Sequence, residues 1–207
     1  MEVLRHKHLN SFDIFKTQIP LTSAILFYYV MRLTSLFLLA LFLLPVFVHP
    51  AQAQKVPEVL KTSFSEAALS QYVYTPKGDS LTMAKVLDQY KKKVVVLDLW
   101  AGWCKDCIAV MEDNKALKAK YPKVTFVYLS LDRSDTAWHK AMEKHGLTKE
   151  PNYWFKAGWK NKFTNYIDLN WIPRYMVLDK KSAIRGYYLV HPKDPEFTIL
   201  LDRLTKK

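Results

Sequence analysis

Residues Val94–Trp100 are apolar at every position except Asp98, and they do not alternate. A short run of that kind, rich in valine at its start, predicts a central strand covered on both faces. The run ends near a pair of cysteines, and the period then changes. Cys107, Val110, Asn114, Leu117 and Tyr121 recur at spacings of three and four, so residues 104–121 predict one helix with a buried stripe. Residues 124–132 return to a strand pattern. Strand, helix and strand joined by short links predict a parallel, right-handed crossover.

The flanks are shorter pieces. Residues 54–70 predict a loose lead-in, and residues 71–81 a hairpin in which Tyr72 to Tyr74 returns through a Pro-Lys-Gly-Asp turn. Residues 82–90 predict a short helix, with Thr82 as N-cap and Met83, Val86, Leu87 and Tyr90 along one side. Residues 134–147 predict a helix capped by Ser134 or Asp135 and stopped at Gly146. Residues 147–170 hold many aromatics (Tyr153, Trp154, Phe155, Trp159, Phe163, Tyr166) at no clear period. They predict a loop with a short helix over 160–166, the aromatics serving as packing rather than as a ligand box. Residues 174–189 predict a hairpin turning at 180–182, and residues 194–204 a closing helix with Pro195 in its first turn.

The N-terminal fifty residues have another grain. Arg32 precedes an apolar stretch from Leu33 to Leu44, Pro45 interrupts it, and Ala51-Gln52-Ala53 has the small-x-small form of a cleavage site. Residues 31–53 therefore predict a signal peptide, with export and cleavage before Gln54. The stretch is short for a span of about 20 residues. An uncleaved membrane anchor is the alternative, if the apolar stretch extends back through residues 25–30. Residues 1–30 fit poorly upstream of such a signal and are read as a mis-assigned start, with Met31 the true one. The remainder, residues 54–207, is long enough for one domain with a full core.

Charge alters this picture little. The formal net charge is +12, from 31 basic and 19 acidic residues. Such a balance can mark binding to nucleic acid or an anionic surface. Here the lysines are scattered (Lys91, Lys115, Lys120, Lys160, Lys180), as on solvated faces and strand ends, so nucleic acid is not an expected partner.

The chain has two cysteines, Cys104 and Cys107. Zinc takes about four ligands, and His139, His145 and His191 lie in or beyond other elements without paired spacing; no metal is expected. A purely structural disulfide across three positions closes too short a loop to constrain the unfolded chain much. Thiol–disulfide exchange, in contrast, uses the placement. At a helix start, free N–H groups and the dipole stabilise a thiolate on the first cysteine. Cys104 is then the nucleophile that forms a mixed disulfide, and Cys107, on the inward face, resolves it. No cofactor beyond the two cysteines is needed. Lys105 favours the thiolate and Asp106 opposes it. Asp98 is desolvated in its apolar strand, which raises its pKa toward neutrality and suits proton exchange with Cys107; the plainer alternative is a hydrogen-bonded structural carboxylate. Trp103 is read as a cover offering apolar area to a partner, and Trp100 as core.

In this order of elements the chain resembles the thioredoxin superfamily, and within it the exported TlpA/ResA-like thiol–disulfide oxidoreductases of bacteria. Trp100, Trp103, Cys104 and Cys107 look like the W-x-x-W-C-x-x-C segment at a strand-to-helix junction. Ile172-Pro173 looks like the cis-proline that opens the third core strand. The resemblance runs from about residue 60 to residue 206. It implies an α/β, thioredoxin-like fold: a central mixed β-sheet flanked by helices, with an N-terminal β-hairpin extension. It implies exchange with protein thiols and disulfides, reduction being favoured over oxidation, for example of apocytochrome c thiols. It also implies a membrane electron donor or acceptor, a periplasmic or other extracytoplasmic location, and a monomer. A cis bond at Ile172-Pro173 would turn the Ile172 backbone toward the sulfurs, where it could pair with an extended substrate. The chain departs from the family pattern in three places. Lys105-Asp106 lies between the cysteines, Glu112 stands where a helix-kinking proline is common, and Tyr128 stands where a lysine often faces the buried acid. Two rivals stay open: a thiol peroxidase, although Ala101-Gly102-Trp103 does not match the P-x-x-x-T-x-x-C setting, and a redox-inert binding or chaperone module.

Overall fold

The computed structural model of the chain describes residues 25–34 and 55–206. Residues 25–34 are helical, with exposed side chains. The cleavage site, most of the apolar stretch before it and most of the segment read as a mis-assigned start lie outside the described residues. Among the described residues, no helix is long and apolar enough to cross a membrane.

From Lys55 onward the elements are α1 (Glu66–Leu69), β1 (Tyr72–Tyr74), β2 (Ser80–Thr82), α2 (Met83–Asp88), β3 (Val94–Trp100), α3 (Lys105–Ala109), α4 (Met111–Lys120), β4 (Val124–Ser130), α5 (Asp135–Lys144), β5 (Asn152–Trp154), α6 (Lys162–Tyr166), β6 (Arg174–Leu178), β7 (Ile184–Leu189) and α7 (Pro195–Thr205). The strands form one mixed sheet of order β2-β1-β5-β4-β3-β6-β7. β3 pairs in parallel with β4, from Val94↔Val124 to Trp100↔Ser130, and antiparallel with β6, from Val95↔Leu178 to Leu99↔Arg174.

Every residue of β3 is buried. Each of its large apolar side chains contributes about 1.5–3 kcal/mol by leaving water, which is why a run without alternation sits at the sheet centre. One face is covered by α4 and α7. Asn114 of α4 reaches Asp98, and the Phe197 ring of α7 packs 5.4 Å from that of Tyr175, the register partner of Asp98. Helix starts follow local chemistry. The side chains of Thr82, Ser134 and Asp194 accept backbone N–H groups of the next turn, and Pro195 occupies the first turn of α7.

Three expectations need correction. The helix expected over 104–121 is two, α3 and α4, separated at Val110 (φ −96°, ψ 5°). The interruption occurs without a proline, since Glu112 keeps its N–H. The stripe is intact across it, with Cys107, Val110, Asn114, Leu117 and Tyr121 all buried. Burial periodicity reports which side faces inward, not whether the i→i−4 ladder is continuous. Residues 147–170 contain a strand that periodicity missed, because three residues are too few to show a period. β5 forms through pairing with β4 (Tyr128↔Asn152 to Ser130↔Trp154) and with β1 (Tyr74↔Trp154). It is buried in part by Trp138, which stacks 6.1 Å from Trp154 and donates its Nε1–H to Asn152 Oδ1 at 2.9 Å. The lead-in, expected to be loose, contains α1, capped by Ser65.

The turn after β3 is pressed against α5. A Cβ added at Gly102 would overlap the Cβ of Ala141 and lie 3.3 Å from Asp132 Oδ1. Gly102→Ala is expected to cost about 1–3 kcal/mol of stability. Denaturant melts in a double-mutant cycle should show that cost falling by roughly half or more when Ala141 is also changed to Gly; an undiminished cost would place the clash elsewhere.

Candidate active site

The end of β3 delivers the two cysteines. The turn over residues 101–103 is fixed by its neighbours: the Gly102 N–H donates to both carboxylate oxygens of Asp132 (3.0 and 3.1 Å), and Leu131 N donates to Trp100 O at 2.9 Å. Asp132 is itself held by Ser130 Oγ at 2.8 Å. Cys104 follows as the N-cap of α3, with extended backbone (φ −82°, ψ 106°).

Cys104 and Cys107 are joined as a disulfide. The Cys107 N–H donates to Cys104 Sγ at 3.1 Å. When the pair is reduced, the same donor stabilises negative charge on Cys104 rather than on Cys107. Cys104 is 6% exposed and Cys107 1%, and of the two it is Cys104 that lines a cleft. Trp103 is 49% exposed beside it, while Trp100 is fully buried.

Asp98 is 1% exposed, and its Oδ2 accepts from Asn114 Nδ2 at 3.1 Å. Its Oδ1 and Asn114 Oδ1 have no hydrogen-bond partner among the described residues. The bond to Asn114 ties the carboxyl to α4. Burial pushes the Asp98 pKa up to about 8, and the hydrogen bond from Asn114 opposes only part of that rise. Tyr128 and Tyr175 flank Asp98 on the neighbouring strands, and burial followed by the nearby Asp98 charge raises both phenols.

The opposite wall is the segment before β6. The Ile172-Pro173 bond is cis, and the Ile172 carbonyl oxygen lies 3.6 Å from Cys104 Sγ. Four hydrogen bonds hold this segment. Asp168 accepts from Lys61 and from the Tyr187 hydroxyl, Asn170 Nδ2 donates to Lys55 O at 2.6 Å, and Arg174 Nη2 donates to Asn170 Oδ1 at 3.1 Å. Arg174 is fully buried with its guanidinium 3.7 Å from the Tyr188 ring centroid, and burial lowers its pKa to about 10.

Between the walls is a cleft of about 390 Å³ lined by Trp103, Cys104, Lys105, Asp106, Trp159, Trp171 and Ile172. It brings Cys104, Trp103 and Ile172 together; Cys107, Asp98 and Pro173 are not among its lining residues. Of the aromatics read as packing, Tyr153, Trp154, Phe155 and Phe163 are buried, but Trp159 lines this cleft. Sequence reasoning also missed Trp171, Asn114, Asp132 and Arg174. Asn114 had a signal, a polar residue on a buried helical stripe, and Trp171 adjoins Ile172-Pro173. Trp159 had none, because its position depends on the long loop around it. Among the described residues, no group of three or more His, Cys, Asp or Glu side chains could hold a metal ion.

Comparison with known proteins agrees with this geometry. Residues 91–184 match a family described as thioredoxin-like. A Bacteroides vulgatus protein named for thiol–disulfide oxidoreductase activity is 27% identical, with a TM-score of 0.57 over 70% of this chain and 91% of its own. A thiol–disulfide oxidoreductase from Bacteroides fragilis is 19% identical, with a TM-score of 0.54 over 65% of this chain and 99% of its own. A secreted disulfide oxidoreductase of Mycobacterium tuberculosis, described as homologous to Escherichia coli DsbE, is 19% identical, with a TM-score of 0.50 over 68% and 100%. A search of curated proteins found no match. A mixed sheet with Cys-x-x-Cys at a strand-to-helix junction defines a thioredoxin-like redox protein. Residues 91–184 form a thioredoxin-like domain, and with the Cys104–Cys107 pair the enzyme class is that of the thiol–disulfide oxidoreductases.

The buried acid makes stability depend on pH. Asp98 keeps its proton in the fold up to about pH 8, while an unfolded aspartate loses it near 3.8. The folded state thus holds the extra proton between these values, and this group's contribution falls as pH rises, by at most about 1.4 kcal/mol per pH unit. Urea melts should show Asp98→Asn gaining on the unsubstituted chain from pH 5 to pH 8 and levelling off above. A gap that does not change with pH would mean that Asp98 is ionised in the fold.

Proposed function

We propose that the chain is an extracytoplasmic thiol–disulfide oxidoreductase of the TlpA/ResA-like kind, which exchanges its Cys104–Cys107 pair with cysteines of other exported proteins. The observation that carries this reading is the asymmetry of the two sulfurs. Cys104 is the reachable one, receives the Cys107 N–H, and opens into the apolar cleft beside the Ile172 carbonyl. Export is supported by the leader pattern of residues 31–53 and by the secreted fold neighbour.

In the reductive direction, the Cys104 thiolate attacks one sulfur of a substrate disulfide. A Cys104–substrate bond forms, the substrate S–S bond breaks, and the leaving thiolate takes a proton from water. Cys107 then passes its proton to the Asp98 carboxylate and attacks Cys104 Sγ. The mixed disulfide breaks, the internal one forms, and the second substrate thiolate leaves and is protonated in turn. The substrate gains two electrons and two protons. A dithiol donor at the membrane restores the enzyme by the reverse steps, with neutral Asp98 protonating Cys107 as it leaves. Trp103 and the Ile172 backbone hold the substrate segment, and Pro173, which has no N–H, leaves that edge open for an extended chain. The reductive direction rests on the resemblance to the TlpA/ResA-like branch. The protein acts as a monomer and needs no cofactor.

Two experiments test the assignment. In cell-envelope extracts, Cys107→Ser should accumulate mixed disulfides with partners, and Cys104→Ser should not; trapping by Cys104→Ser alone would reverse the roles. In pre-steady-state exchange, the resolution rate should climb as pH approaches 8, where Asp98 ionises. Asp98→Asn should lose that climb while the first attack by Cys104 stays nearly unchanged. If the climb persists, the proton leaves by another route, such as water.

A further inference from the structure

Trp103 stands between two clefts. One is the tryptophan-lined cleft over Cys104. The other, of about 480 Å³, lies on the far side and is lined by Trp103, Arg133, Lys140, Lys144 and His145 over a floor that includes Gly102 and Ala141. Its exposed charges are of one sign. Lys140 and Lys144 are one turn apart on α5, and Arg133 comes from the loop before that helix. The small side chains of Ala137 and Ala141 keep the space between them open. Arg133, Lys140 and Lys144 are exposed, and none forms an ion pair among the described residues. The lysines of α4 that lie nearest in sequence to the site differ: Lys115 pairs with Glu112, and Lys118 pairs with Glu150.

The carboxylate in the wall is Asp132, and it is 2% exposed and engaged with the Gly102 N–H and the Ser130 hydroxyl. The acids of α5 itself, Asp135 and Glu143, do not line the cleft, and Asp135 faces His139 at 3.6 Å. The local field also shows at His145, whose pKa burial lowers first and the positive charges of Lys144 and Lys115 lower further.

We propose that this basic cleft is the docking subsite for an acidic segment of the redox partner's polypeptide. Carboxylates near the partner's reacting cysteine meet Arg133, Lys140 and Lys144, while an apolar neighbour of that cysteine enters the tryptophan cleft on the other side of Trp103. The proposal rests on the exchange reading of Cys104, and it adds the chemistry of the substrate. Two features select a polypeptide with that pattern. The cleft shares Trp103 with the cleft over the reacting sulfur, so its occupant is continuous with whatever reaches Cys104. The charge is concave and adjoins the cleft over the reacting cysteine. Charge of this kind raises the rate of encounter more than it slows release.

The test uses two disulfide-closed peptides with the same apolar residue beside the cysteine, one flanked by Asp and Glu and the other by Lys. The full chain, reduced beforehand and freed of reductant, is mixed with each, and exchange is followed by acid quench and chromatography. The acidic peptide should react about tenfold faster at low salt. The preference should shrink toward unity at about 0.5 M salt, where screening extends over roughly 4 Å. The pair Lys140→Glu and Lys144→Glu should invert it. If charge reversal disturbs α5, the milder pair Lys140→Gln and Lys144→Gln should still reduce it. Equal rates for the two peptides, or a preference that survives both pairs of substitutions, would overturn the docking proposal and leave the exchange reading standing. Failure of the reduced chain to react with either peptide and with insulin would overturn the exchange reading itself.

Discussion

The antiparallel pairing of β3 with β6 is the constraint from which the site follows. In that register Leu99 lies opposite Arg174, so the chain leaves β3 toward Cys104 at the same sheet end where it enters β6 from Pro173. Two segments far apart in sequence are thereby set on either side of one sulfur, with Ile172 O 3.6 Å from Cys104 Sγ. The parallel partner β4 ends at that edge too, and residue 132, just beyond it, holds the Gly102 turn. A one-residue slip of β6 would exchange the two faces of that strand and take Tyr175 away from Asp98.

A strand buried on both faces is a costly place for a carboxyl group. The cost is lowered because Asp98 stays protonated and Asn114 supplies a neutral hydrogen bond. A cation in place of that amide would stabilise the ionised form and depress the pKa. The residues paired with Asp98 on both flanking strands are tyrosines, Tyr128 and Tyr175, which bring bulk and no positive charge. With no cation paired with it on either flanking strand to offset it, burial holds the Asp98 pKa well above the usual carboxylate range.

The walls of the site come from segments with little regular structure. Lys61, Asp168 and Tyr187 bind one another, while Asn170 joins Lys55 to Arg174. These ties hold Trp171 and Ile172 against the Cys104 turn, and they draw on the lead-in, the loop after α6 and both strands of the final hairpin. Asp168 adopts φ +50°, a conformation that aspartate tolerates better than most residues. The scaffold is thioredoxin-like; these loops shape the cleft over Cys104, while the positive charge beside it comes from Arg133 and α5.

The amino-acid pattern was enough to place the central strand, the crossover, both hairpins and the two cysteines at a helix start. Each of these is written in local periodicity, capping or spacing, which act over a few residues. Asp98 also stood out, because one charge in an apolar run is visible without coordinates. The break at Val110, the strand β5 and the membership of Trp159 and Trp171 in the cleft could not be read that way. β5 exists because β4 and β1 offer backbone partners on both sides, and Trp159 reaches the cleft through the course of a loop with no period. These features depend on contacts between residues distant in the chain, so only the packed sheet, with its register set, decides them.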